Sequence, residues 1–90
     1  MAVTLRGRLL KPSSEGSYPA ARVVVFLKPI MRDAVTGQDG IFYFYNVPPG
    51  KYTLEVQARQ VISYPIEVKP GSPNAPSAYQ DIPEITLPSS

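Results

Sequence analysis

Glu55 and Glu67 occupy outward-alternating positions of two apolar stretches, so neighbouring strands could set their carboxylates opposite one another. Two carboxylates several ångströms apart are what glycoside hydrolysis by general acid–base catalysis requires. A solvated sheet face is the better reading of both, because a glutamate alternating with apolar residues ordinarily points to water. The remaining acids, Glu15, Asp33, Asp39, Asp81 and Glu84, stand singly or in loop-forming sequence. Asp39 precedes Gly40 and reads as turn chemistry, since no run of alternating oxygen ligands surrounds it to hold calcium. Histidine and cysteine are absent, which removes Ser-His and Cys-His nucleophile pairs, imidazole and thiolate metal sites, and disulfides. No catalytic residue, cofactor or metal is expected, and the chain is read as a non-enzyme.

Recognition is then the chemistry to look for, and aromatic residues carry it. Ile41, Tyr43 and Tyr45 alternate with Phe42 and Phe44, so both faces of that stretch are apolar while only one can enter a core. With Val24 and Phe26 on the non-core side of an earlier run, Ile41, Tyr43 and Tyr45 could form one exposed interaction surface. Three readings of it stand. The segment from Lys28 to Val35 or a later proline-rich segment folds over it; it contacts another protein or a second copy of the chain; or its tyrosines stack on sugar rings, with Tyr79 as a further platform. A tyrosine offers apolar area and a hydroxyl, which suits all three. The lack of tryptophan and of an evident polar cluster places glycan binding below protein contact. Arg6 and Arg8 share the outward side of the first strand, where they could pair with acids, bind an anionic partner or, the preferred reading, guard a sheet edge against strand addition.

The elements that would position these residues are strands. Val3, Leu5, Gly7 and Leu9 alternate with Thr4, Arg6 and Arg8, the period of a strand with one face on a core. A loop follows from Lys11 to Ala20, and then Arg22 to Leu27, an apolar run that reads as a strand covered on both faces. Ile30 to Val35 fits either a short strand or an irregular crossover. Ile41 to Tyr45 and Tyr52 to Val56 are strands joined through Asn46-Val47-Pro48-Pro49-Gly50. Ile62, Tyr64, Ile66 and Val68 form another, with Pro65 marking it as an edge or a bulge because proline cannot donate to a ladder. Lys69 to Gln80 reads as the longest loop, and Ile85 and Leu87 as a last short strand.

Ninety residues suit one domain, with its core within about residues 3–87. About seven short strands between Pro/Gly/Ser loops, with no helical period, predict an all-β Greek-key sandwich. The expected core is Val3, Leu5, Leu9, Val23, Val25, Leu27, Phe42, Phe44, Val47, Tyr52, Leu54, Val56, Ile66, Val68, Ile85 and Leu87. Net charge is only +2, and the nine basic residues are spread along the chain, too dilute for a nucleic-acid partner. No apolar run approaches the roughly 20 residues that cross a bilayer as a helix, so direct membrane insertion is not expected. Met1-Ala2-Val3 leads straight into a strand pattern, and the Pro-Ser-Ser end fits a domain excised from a larger protein.

Asp39-Gly40-Ile41-Phe42-Tyr43-Phe44 followed by Asn46-Val47-Pro48-Pro49-Gly50-Lys51-Tyr52-Thr53-Leu54-Glu55-Val56 resembles the carboxypeptidase regulatory-like domains, which are transthyretin-like, or prealbumin-like, sandwiches. Arg6-Gly7-Arg8 and Ala21-Arg22-Val23-Val24-Val25 extend the likeness at the level of pattern. The resemblance implies a non-catalytic accessory module of a larger, extracytoplasmic protein. Its partners would be neighbouring domains of the parent chain or another protein, with self-association a further route. It assigns Gly40 and Gly50 to backbone geometry, and Phe42, Phe44, Tyr52 and Leu54 to packing.

Overall fold

A computed structural model describes residues 2–70 and 79–88, which form β-strands and no helix. In chain order these are β1 (Val3–Ser13), β2 (Gly16–Pro19), β3 (Val24–Lys28), β4 (Arg32–Val35), β5 (Ile41–Val47), β6 (Gly50–Gln57), β7 (Val61–Val68), β8 (Tyr79–Asp81) and β9 (Ile85–Thr86). One sheet gathers β2, β5, β8 and β9 around the long β1; the other has the order β4-β3-β6-β7. Backbone groups of successive strand residues point to opposite edges. On one edge of β1, Leu9 donates to the Gly40 carbonyl and accepts from Ala20 N–H; on the other, the carbonyls of Arg6 and Leu10 accept from Ile82 and Leu87. β1 is therefore the interior strand of its sheet, with β5 and β2 along one side and β8 and β9, both parallel to it, along the other. The chain passes between sheets four times, and β3 finds its neighbour in β6 rather than in β5, which makes the architecture a Greek-key sandwich.

Alternation decides what enters the space between the sheets. Leu5 and Leu9 from β1, Phe42 and Phe44 from β5, Val25 and Leu27 from β3, and Leu54 and Val56 from β6 are all buried. Phe42 lies against Gly7, where a Cβ would come within 2.3 Å of its ring, and meets Phe44 edge to face at 5.9 Å. Of the expected core, only Ile66 stays half-buried, as do Ile62 and Tyr64 beside it. They belong to β7, which pairs with β6 alone and is an edge strand, as Pro65 foretold.

The remaining differences from expectation have local causes. Lys11 to Ala20 is not a loop: β1 continues to Ser13 and turns into β2, pairing Leu10 with Pro19 through Ser13 with Gly16. Most side chains of this hairpin are exposed, so no alternating apolar signal marks it. The Val24 and Phe26 side of β3 is half-buried rather than covered, because among the described residues no layer packs on the outer face of the second sheet. Arg32–Val35 resolves the open segment as β4, antiparallel to β3. Part of the expected long loop is strand β8; positions 71–78 of it lie outside the described residues.

One buried polar side chain went unnoticed in the alternation. Thr36 is 2% exposed; its hydroxyl donates to the Ala20 carbonyl at 2.6 Å and accepts from Val23 N–H at 2.9 Å. Its own backbone exchanges bonds with Arg22 and Val23, so the residue fastens the crossover into β3. Thr36→Val keeps the shape and strands both partners, which costs about 1–3 kcal/mol. Urea denaturation should show a lower midpoint at unchanged slope, whereas an unaltered midpoint would mean that water replaces the hydroxyl.

Candidate functional site

The outer face of the first sheet collects aromatic residues from strands distant in sequence. Outward positions of β1 carry Thr4, Arg6 and Arg8. Register sets Arg6 between Tyr43 of β5 and Asp81 of β8, and Thr4 beside Tyr79. Tyr43 and Tyr45 lie two residues apart on one side of β5, with near-parallel rings 5.9 Å apart; Tyr79 approaches Tyr43 edge-on at 6.5 Å. The rings remain open to solvent, with Tyr43, Tyr45 and Tyr79 exposed by 38%, 62% and 56%.

Arg6 organises this face. Its guanidinium grips Asp81 through Nε–Oδ1 at 2.7 Å and Nη2–Oδ2 at 3.2 Å, and lies 5.4 Å from the centre of the Tyr79 ring. The hydrogen bond and charge of Arg6 hold the Asp81 carboxyl below the usual carboxylate range, and Asp81 in turn raises the guanidinium above its ordinary value. Both groups are therefore charged at neutral pH. One row further along β1, Arg8 donates from Nε to the Asp39 carbonyl at 3.1 Å and pairs with Glu84 at 3.5 Å. The result is an aromatic platform with a fixed ion pair at its centre. It offers flat apolar rings, phenolic hydroxyls and charged hydrogen-bonding groups.

Several expectations need correction. Ile41, Tyr43 and Tyr45 belong to the first sheet, whereas Val24 and Phe26 lie on the outer face of the second, so the five residues do not form one surface. Each set does point away from the core, but the core separates them. Arg6 and Arg8 guard no edge, because β1 is interior; their partners are acids on the β8–β9 side. Arg32 is the residue that blunts an edge, donating to the carbonyls of Tyr45 and Asn46 at the end of β5. Glu55 and Glu67 are not opposed: register places Glu55 across from Ser63 and Glu67 across from Lys51, and Glu55 pairs with Lys28 at 2.8 Å. Asp39 behaves as turn chemistry, accepting from Ile41 N–H at 3.0 Å. The residue whose place sequence reasoning missed is Tyr79. Its strand is three residues long, too short for alternation to announce it.

No family model matches the chain, and no curated protein sequence matches it. Among solved structures it is similar to a candidate carbohydrate binding protein of Pseudomonas aeruginosa, with 16% sequence identity and a TM-score of 0.66. The superposition covers 96% of this chain and 88% of that one. Similarity at that identity speaks to architecture, and the two proteins share the β-sandwich fold.

Proposed function

We propose that this domain is a non-catalytic binding module that holds a glycan against the tyrosine face of its first sheet. The observation that carries the reading is the convergence of Tyr43, Tyr45 and Tyr79 around the Arg6–Asp81 pair, exposed and on one side of the sheet. Sugar rings present C–H faces that lie on aromatic carbon without losing hydrogen bonds, while their rim hydroxyls need donors and acceptors such as those Arg6 and Asp81 supply. An open platform favours an internal stretch of a polysaccharide over a chain end. The candidate carbohydrate binding protein with the same fold supports the reading. The motif over residues 36–56 supports the further view that the chain is a carboxypeptidase regulatory-like accessory module.

Tyrosine and arginine are also the residues that dominate protein–protein contacts, so the same face favours a protein partner as the second reading. Calorimetric titration against a panel of soluble polysaccharides separates the two. Binding by the wild type, weakened about tenfold in Tyr43→Ala and in Tyr79→Ala, is the expected result, since one ring contact is worth about 1.5 kcal/mol. The unfolding midpoint should hold in both variants. A panel with no binder removes the glycan reading. Self-association that Tyr43→Ala abolishes at unchanged stability establishes the protein one.

A further inference from the structure

A cleft lies at the other end of β1, between the β1–β2 hairpin, the crossover into β3 and the turn from β6 to β7. Lys11 and Arg6 are five residues apart on β1, about 16 Å at the rise of an extended strand, so this cleft is separate from the tyrosine platform. It is half open to solvent, with a volume of about 530 Å³. It is lined by the buried apolar Val23 and Leu87 and by the exposed Lys11, Arg22, Arg59 and Tyr18. No acid lines it. Of the cations elsewhere, Arg6, Arg8 and Lys28 pair with carboxylates and Arg32 is held by carbonyls, while Lys51 and Lys69 form no ion pair among the described residues. Lys11, Arg22 and Arg59 likewise form no ion pair among the described residues, and what sets them apart is that all three line one cleft. Three like charges around one concavity repel each other, and a bound anion relieves that repulsion.

The backbone adds a second observation. Arg22 has φ of 59°, a left-handed conformation that a long side chain rarely adopts. The side-chain and backbone bonds of Thr36 to Ala20, Arg22 and Val23 fix this crossover and hold Arg22, a residue of the cleft lining, in that disfavoured geometry. We propose that this cleft binds an organic anion: a carboxylate or phosphate held by Lys11, Arg22 and Arg59, on a body of sugar size that rests against the apolar Val23 and Leu87. Guanidinium groups match the paired oxygens of either group, and the cleft has room for more than a bare oxyanion. The site does not depend on the tyrosine platform.

Amide chemical shifts of the full chain, followed at low ionic strength against glucuronate, glucose 6-phosphate, inorganic phosphate and glucose, test it. Saturable shifts around Arg22 and Arg59 are expected with the first two. Inorganic phosphate should bind more weakly and glucose not at all, and the tighter of the two sugar anions identifies the group recognised. Affinity should fall as sodium chloride is raised. Arg22→Gly and Arg59→Gln should each weaken binding tenfold or more while retaining the unfolding midpoint; glycine accepts the backbone of residue 22 without strain. Lys28→Gln, which makes the same change in net charge at a distant site, should bind as the wild type does. The proposal is overturned by an absence of saturable binding to both sugar anions, by an equal loss in Lys28→Gln, or by wild-type affinity in both arginine variants. Inorganic phosphate binding as tightly as glucose 6-phosphate would sink the claim that a sugar-sized body occupies the cleft.

Discussion

Phe42→Ala should lower the unfolding free energy by about 3–5 kcal/mol, the range for removing a fully buried aromatic ring and leaving a cavity. Typical domains have only about 5–15 kcal/mol in total, so this variant should be partly unfolded or close to it at 25 °C. Phe42 is 1% exposed and fills the middle of the sandwich. Its ring reaches that place only because β1 carries a glycine opposite: a methyl group on Gly7 would come within 2.3 Å of Cζ and 2.7 Å of Cε1. Gly7→Ala should therefore cost about 1–3 kcal/mol by overpacking. The two residues are register partners, so their effects should not add. Combining Gly7→Ala with Phe42→Leu, which shortens the side chain, should cost less than the sum of the two single changes. Guanidinium denaturation of the four proteins measures the coupling, and strict additivity would show that the ring and the strand do not constrain each other.

Gly40→Ala is expected to be comparably damaging, at about 2–5 kcal/mol. Two effects sum here. The residue has φ of 78°, where a side chain costs about 1–2 kcal/mol, and a Cβ would come within 2.4 Å of the Leu9 carbonyl oxygen. That oxygen belongs to backbone that is itself bonded, with Leu9 donating to the Gly40 carbonyl at 2.8 Å and accepting from Ala20 at 2.9 Å. It cannot move aside as the end of a flexible side chain could, so a strain of about 1–3 kcal/mol adds to the conformational term. Thermal unfolding followed by circular dichroism should show a large drop in midpoint. A midpoint within a degree or two of the wild type would mean that the 37–40 turn is remodelled without disturbing β1.

Asp39-Gly40 announced this turn in sequence, because glycine after aspartate is a local signal for backbone reversal. The clash with Leu9 was not announced, because it depends on a strand thirty residues away. The aromatic site divides in the same way. Alternation placed Tyr43 and Tyr45 on one side of their strand and Phe42 and Phe44 on the other, and the structure has them so. Nothing local said that β8 would run parallel to β1 and bring Tyr79 to Tyr43, or that Arg6 would find Asp81.

The amino-acid sequence by itself determined that the chain is all-β, which side chains turn inward on most strands, and that histidine and thiol chemistry are absent. A two-residue period is written in neighbouring positions and needs no partner to be read. Tertiary structure alone decided which strands became neighbours, and so which outward residues share a surface. Inward and outward are local properties of a strand, whereas membership of a sheet is a pairing between distant segments that the period does not encode. For that reason Val24 and Phe26 ended on the far side of the molecule from Tyr43 and Tyr45. For the same reason Arg6, expected at an edge, became the centre of the face on which the proposed function rests.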